Sequence, residues 1–310
     1  MKAMILDIQR MSTEDGPGLR TTVFFKGCNL ACAWCHNPES ISPRPDLNWF
    51  ARKCIGCGRC EGSCPRGVIT REQGEVRFDR GKCAAGNTAE ADQGCRRCED
   101  ACPNGAIELK GKPMDAGALC KELLKDRAYF GPEGGVTLSG GEAALQPAAA
   151  AVAGLLKDAG VSVALDTAGA YDFRVLEGLL PFVDLVLYDL KIFEPREHRR
   201  FTGADNRLIL ENYRKLREQG RRVWVRTPII EGATDHEENI AAIGRFIRDA
   251  GQPEKWELCA FNNLCRDKYE RLDQDWAYKN TGLTRKEHIE ALTRTARELV
   301  PAATYSGSTV

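Results

Sequence analysis

Residues 27–37 read Gly27-Cys28-Asn29-Leu30-Ala31-Cys32-Ala33-Trp34-Cys35-His36-Asn37, directly after the apolar run Thr22-Val23-Phe24-Phe25. That run predicts a strand, and the x3 and x2 spacing puts three thiols on the loop behind it. Three thiolates can occupy three irons of a 4Fe–4S cube and leave the fourth iron without a protein ligand. A metal centre that keeps one position free is where small-molecule chemistry takes place. The loop also leaves a strand at the end where parallel α/β folds place their ligands.

Working outward, short β-branched runs alternate with longer amphipathic ones. Strands are predicted near 22–25, 136–138, 161–165, 183–188, 222–227 and 256–261. Helices are predicted near 115–128, 147–159, 172–180, 206–219, 236–250 and 284–299, the last with Thr284 as its N-cap. Gly160 and Gly220 fall where a left-handed residue closes a helix. Six strand-helix repeats predict a parallel α/β sheet. Periodicity alone fits a partial barrel and an open doubly wound sheet equally.

Residues 47–113 break this rhythm with Gly, Cys, Pro and charge, and read as a small domain inserted between the first strand and its helix. Cys57, Cys60, Glu61, Cys64, Pro65, Gly67 and Ile69 recur 38 residues later as Cys95, Cys98, Glu99, Cys102, Pro103, Gly105 and Ile107. Cys54-x2-Cys57-x2-Cys60-x3-Cys64-Pro65 has the ferredoxin spacing, in which three thiolates hold one cube and the fourth reaches the second cluster. With that cross-over, Cys54, Cys57, Cys60 and Cys102 hold one 4Fe–4S cluster, and Cys64, Cys83, Cys95 and Cys98 hold the other. The second run is irregular: Asp92 stands where Cys54 does in the first. Two structural zinc sites are the alternative at this spacing, and a brown iron–sulfur absorption band separates the two.

The chain has 310 residues, 44 Lys+Arg against 44 Asp+Glu, 43% hydrophobic and 28% charged. Disorder and fibrous folds are excluded. Charge balance gives no reason to expect nucleic acid or an anionic membrane, and no apolar run reaches the roughly 18 residues of a membrane span. With no signal-peptide core near Met1, a cytoplasmic protein is expected. There thiols stay reduced, so 14 cysteines, eleven of them between 28 and 102, read as metal or redox ligands. Cys120, Cys259 and Cys265 read as buried small hydrophobes, and His198, His236 and His288 as solvated.

Cys28-x3-Cys32-x2-Cys35 with Trp34 before the third cysteine resembles the radical S-adenosylmethionine (SAM) enzymes. Asp15-Gly16-Pro17-Gly18-Leu19-Arg20 upstream and Cys35-His36-Asn37-Pro38-Glu39 downstream resemble the glycyl-radical-enzyme activating enzymes, relatives of pyruvate formate-lyase activase, over most of residues 5–270. The resemblance implies a partial (β/α)6 radical-SAM barrel from 1–46 and 114–310, with a ferredoxin-like α+β insert at 47–113. It implies reductive cleavage of SAM to a 5′-deoxyadenosyl radical that takes hydrogen from a glycine of a partner glycyl radical enzyme. A low-potential flavodoxin or ferredoxin is the implied reductant, three 4Fe–4S clusters and SAM the cofactors, and a monovalent cation a further one in some members.

Position by position, the resemblance implies SAM contacts from Trp34, Cys35, His36, Gly140, Gly141 and Glu142, with Glu142 facing the ammonium. Asp166, Asp189, Leu190, Lys191 and Arg226 follow on later strand ends. Asn262 or Asn263 stands where the short activase has histidine, and Leu187 where it has methionine. Asp15, Gly16, Pro17, Gly18 and Arg20 are implied to meet the partner. Two other readings stay open: a radical SAM enzyme acting on a small molecule or peptide with auxiliary clusters, and a non-catalytic electron carrier, for which the Gly-Gly-Glu and Asp-Leu-Lys segments would serve no purpose.

Overall fold

The computed structural model describes residues 1–73, 75–83 and 95–310. Nine strands form the central sheet: β1 (Lys2–Ser12), β2 (Arg20–Phe25), β3 (Lys112–Asp115), β4 (Gly135–Gly140), β5 (Ser162–Thr167), β6 (Leu185–Asp189), β7 (Val223–Ile229), β8 (Lys255–Ala260) and β9 (Ala303–Ser306). Their order is β9-β8-β7-β6-β5-β4-β2-β1-β3. From β2 to β9 every neighbouring pair is parallel, whereas β1 pairs antiparallel with both β2 and β3. All six predicted strands are present. The three others lie toward the sheet's two edges, where little apolar patterning is needed; β3 is four residues long and carries Pro113, which only an edge tolerates.

The sheet is a partial barrel. Phe24, Ser139, Asp166, Asp189, Arg226 and Cys259, one from each of β2 and β4 to β8, line a single cavity. Laid flat at about 4.8 Å per strand, the first and last would stand roughly 24 Å apart, so the sheet curls round the space. Residues alternate across it. Val23, Phe25, Val136, Leu138, Val163, Leu165, Val186, Val225 and Leu258 point outward into the main apolar core, while the inner face is largely polar near the cavity.

The outer face is covered by helices α1 (Ala116–Leu123), α2 (Ala149–Asp158), α3 (Phe173–Leu179), α5 (Arg207–Glu218), α6 (Glu237–Ala250) and α8 (Lys286–Leu299), while α4 (Pro195–Thr202) and α7 (Arg266–Arg271) lie against the loop that carries Cys28, Cys32 and Cys35. The long ones bury residues at helical spacing, as Val152, Ala153 and Leu156 do in α2 and Ile240, Ile243 and Ile247 in α6. Gly160 and Gly220 take the left-handed conformation, with φ of 70° and 65°. Thr284 is not a helix cap. Helix α8 starts two residues later behind Arg285, and Thr284 Oγ1 accepts instead from Phe261 N at 2.9 Å. Among the described residues no helix is long and apolar enough to cross a membrane.

Between β2 and β3 the chain makes two small antiparallel two-stranded sheets, Asp46–Trp49 with Ile107–Lys110 and Ile69–Glu72 with Glu75–Phe78. Their core is small: Leu47, Val68, Ile69, Cys98, Ile107 and Leu109. Lys26 fastens both chain crossings. Its buried ammonium donates to Asp46 Oδ2 at 2.8 Å and to Glu39 O, and its stem passes Gly111, where a Cβ would stand 2.8 Å from Lys26 Cδ. Lys112 and Pro113, placed in the insert by sequence, pair with β1 and so extend the central sheet.

Candidate active site

Cys28, Cys32 and Cys35 line one wall of a cavity of about 410 Å³ at the carboxyl ends of the parallel strands. The loop that carries them is held from two sides. On one side Gly27 N donates to Ser40 O at 2.7 Å, Cys28 N to Ile41 O at 3.0 Å, and Ala31 N and Ala33 N to Thr202 O and Phe201 O, both at 2.8 Å. On the other, Tyr269 Oη donates to Cys35 O at 2.8 Å, Trp276 Nε1 to Ala33 O at 3.0 Å, and Lys268 Nζ to His36 O at 3.1 Å and Asn37 Oδ1 at 2.6 Å. Trp34 both lines the cavity and packs with Ile192, Phe261, Tyr269 and Trp276 in a second apolar cluster.

Burial pushes the thiols up, Cys28 to about 11 and Cys35 to about 12. A metal bound there has to displace protons. His36 meets the Phe261 ring edge-on at 5.9 Å, and burial, aided by the Lys268 charge, lowers its pKa and keeps the imidazole neutral.

The facing wall is a chain of charges across three strand ends. Ser139 Oγ donates to Asp166 Oδ2 at 2.7 Å, Arg226 pairs with Asp166 and approaches Asp189 Oδ1 at 3.4 Å, and Lys191 pairs with Asp189. Parallel register makes this possible by setting Asp189 beside Arg226. Burial alone would raise Asp189, but Lys191 and Arg226 hold it below its ordinary value. Asp166 is raised by burial against the pull of Arg226. Two carboxylates and two cations therefore offer both signs of charge at no net cost in charge.

Several expected contacts are elsewhere. Gly140 and Gly141 line the cavity, and the space their missing side chains leave is taken by the end of β2 and by the start of the cysteine loop. A Cβ on Gly140, at φ 112°, would stand 2.3 Å from Phe25 N and O, and one on Gly141 2.4 Å from Gly27 O. Glu142 is turned beneath the floor, where its carboxylate accepts from Thr167 Oγ1 at 2.7 Å and Ala168 N at 3.0 Å. It fixes the end of β5 and is not among the residues that line the cavity; burial raises it to about 7. Leu190 points into the main core, and its carbonyl accepts from Thr227 Oγ1 at 2.7 Å. Asn262 Oδ1 accepts from Leu264 N at 3.2 Å and Asn263 Nδ2 donates to Thr281 O at 3.0 Å, while Phe261 takes the place on the wall.

The 15–20 loop also departs from expectation. It lies where β2 begins, opposite the cysteine loop, and a Cβ on Gly18 would stand 2.5 Å from Gly134 N. Arg20 is 1% exposed and donates to Thr137 Oγ1 at 2.7 Å and Val136 O at 2.8 Å, so it braces the sheet and is not free to meet a partner. Gly16 is buried as well, Pro17 half-buried. Asp15 alone of the loop lines the cavity, held by Ser12 and Thr22 hydroxyls at 2.7 Å each.

Two histidine readings and one cysteine reading change too. His198 is buried, its Nδ1 2.6 Å from Ala204 O, and His288 Nε2 lies 3.0 Å from Asp235 O. Cys120 and Cys265 are buried, but Cys259 is half-buried and lines the cavity.

In the insert, Cys54, Cys57, Cys60 and Cys102 surround one small cavity, and Cys64, Cys83, Cys95 and Cys98 another. Asp92 lies outside the described residues. Among the described residues no three Cys, His, Asp or Glu side chains converge on a single-ion site.

Residues 95–243 match the radical SAM superfamily, 53–106 a 4Fe-4S dicluster domain and 14–71 a 4Fe-4S single cluster domain. Among curated relatives, the indoleacetate decarboxylase activating enzyme of Tractidigestivibacter scatoligenes is 37% identical and covers 90% of each chain. The (2S)-3-sulfopropanediol dehydratase activating enzyme of Klebsiella oxytoca is 34% identical, covering 93% of this chain and 92% of its own. Among solved structures, Streptococcus suis SuiB bound to precursor peptide SuiA shares the fold, with a TM-score of 0.50 at 12% identity over 64% of this chain and 43% of that one. With such relatives matched along nine-tenths of their length, the chain belongs to the glycyl-radical-enzyme activating enzymes of the radical SAM superfamily.

Proposed function

We propose that Cys28, Cys32 and Cys35 hold the cluster at which SAM is cleaved, and that the Asp166–Arg226–Asp189–Lys191 chain holds the SAM. One observation carries this: a single cavity has three thiols on one wall and a neutral row of alternating charges on the other. The donor set fits, because three soft thiolates suit iron–sulfur, and an amino acid's ammonium and carboxylate each find an opposite charge. Bound together, cluster and SAM supply the reductive cleavage that ends in removal of a hydrogen atom from a partner glycine.

The chain's own groups do the rest. Asp189 and Asp166 attract the ammonium, and Arg226 and Lys191 the carboxylate. Neutral His36 and Phe261 offer faces to an adenine. Trp34 and its apolar neighbours keep water from the cysteine loop. We also read residues 47–111 as a module holding two clusters in its two thiol quartets, taking electrons from a flavodoxin or ferredoxin and passing them on. Of the 15–20 loop, Asp15 lines the cavity and is the residue we read as meeting the partner's glycine segment.

The test mixes the anaerobic, reduced protein with SAM and a glycyl radical enzyme and records electron paramagnetic resonance. A glycyl doublet on the second protein is expected, and Cys32→Ala should lose both the doublet and 5′-deoxyadenosine release. A doublet that survives Cys32→Ala refutes the assignment.

A further inference from the structure

Helix α7 is one and a half turns long, and it grips two separate parts of the molecule. Toward the cysteine loop, Tyr269 and Lys268 donate to the carbonyls of Cys35 and His36, Lys268 also stands 3.5 Å from Glu39 Oε1, and Cys265 Sγ lies 3.9 Å from Cys35 O. Toward the insert, Arg80 Nη2 donates to Arg271 O at 3.0 Å and to Asp273 Oδ2 at 3.2 Å, while its Nη1 donates to Leu47 O. The Arg271 guanidinium lies 4.6 Å from the centre of the Phe50 ring. Arg80 in turn opens the tight turn that ends at Cys83, whose N–H donates to Arg80 O at 3.1 Å. Cys83 is one of the quartet around the second insert cavity.

We infer that α7 transmits the position of the Arg80–Cys83 turn to the cysteine loop, with Arg80 as a positioning residue for the third thiol and the His36 ring. This rests on the reading that the loop holds the reacting cluster. The helix spans only about 9 Å, too short to bend, so a displacement at Arg271 reaches Lys268 and Tyr269. Asp273 is the left-handed residue that closes α7, at φ 54°, with its N–H on Glu270 O at 3.2 Å and that of Gln274 on Tyr269 O at 3.0 Å. Glycine adopts this conformation freely.

Asp273→Gly therefore separates coupling from folding, because it relieves the backbone while removing the carboxylate. In the full chain, Asp273→Gly and Arg80→Met should each raise amide exchange within residues 27–35 by about tenfold, the scale of an ordinary coupling between sites. They should also raise, by a similar factor, the SAM concentration that shifts the paramagnetic signal of the reduced cluster. Arg80→Lys should restore part of both. Lys268→Met should match them, and Arg80→Met with Lys268→Met should go no further than Lys268→Met alone, as two links in series require. Unchanged exchange and SAM response in Asp273→Gly overturn the inference, as do additive effects in the double variant; if Arg80→Met fails to fold, Asp273→Gly decides alone. A wild-type signal that SAM never shifts would instead count against the site assignment, and the exchange result would still judge the coupling.

Discussion

Three cysteines on the 28–35 loop and eight in the insert are supported by the chain in different ways. The loop is sewn to α4, to the segment 37–41 and to residues 268–276 by hydrogen bonds through its own backbone N–H and carbonyl groups, which use no sulfur. Its three thiols share a cavity with charged side chains, and a further thiol there, Cys259, stands apart on β8 near Arg226. The insert has each quartet closed on itself, four-residue strands, a core of half a dozen side chains and an exposed Cys57. A region so small buries too little apolar surface to order itself. Under the proposed assignment the same ligand atom serves two ends: in the insert the metal orders the fold, and in the loop the fold orders the metal's ligands.

Removing the metal should split the two regions most sharply. Anaerobic chelation is expected to abolish amide protection across 47–72 and 97–110 while β2 and β4 to β8 stay protected. Loss of protection in both regions together would erase the distinction. Next in size is Arg226→Met, which leaves Asp166 and Asp189 buried without their shared cation. Breaking a buried pair from one side costs about 3–5 kcal/mol, read as a lower unfolding midpoint, with the insert's exchange unchanged.

Glu142→Gln should give a pH-dependent difference. The folded pKa of about 7 lies above the usual 4.5, so the native state holds this proton more tightly than the unfolded chain does. Wild-type stability should thus fall as pH rises from about 4.5 to about 7, by roughly 3 kcal/mol, and level off above. The variant lacks that slope, and melting curves at pH 5 and pH 7.5 compare the two. The smallest effect is expected from Tyr269→Phe, which keeps the stack on Trp276 at 5.0 Å and loses one hydrogen bond to Cys35 O, about 1 kcal/mol.

The six inner strands were legible because the face of each that packs under helices carries apolar residues at alternating positions, as Val23 and Phe25 or Val163 and Leu165 do, and Gly160 and Gly220 mark helix ends by a conformation few residues tolerate. The edge strands carry no such demand. Helix α4, Pro195–Thr202, buries only His198 and Thr202, too little to show a periodic stripe. At the site, cysteine spacing was readable since a cube dictates it. Which way Glu142 turns was not, because the answer lies with Thr167 and Ala168 on the next strand. Lys268, Tyr269 and Trp276 escaped notice for a related reason: they bind backbone carbonyls some 230 residues away and leave no local motif. The only hint was an unusual density of aromatics from Phe261 to Tyr278.

The proposed site puts SAM at the loop's three thiols and not at the insert's eight. Electron paramagnetic resonance of the reduced full chain, titrated with SAM, addresses this directly in three proteins: wild type, Cys32→Ala, and a variant with all eight insert cysteines changed to serine. The signal should respond to SAM in the wild type and the eight-serine variant and stay inert in Cys32→Ala. A response that persists in Cys32→Ala, or one that disappears with the insert cysteines while the loop cluster remains assembled, would contradict it.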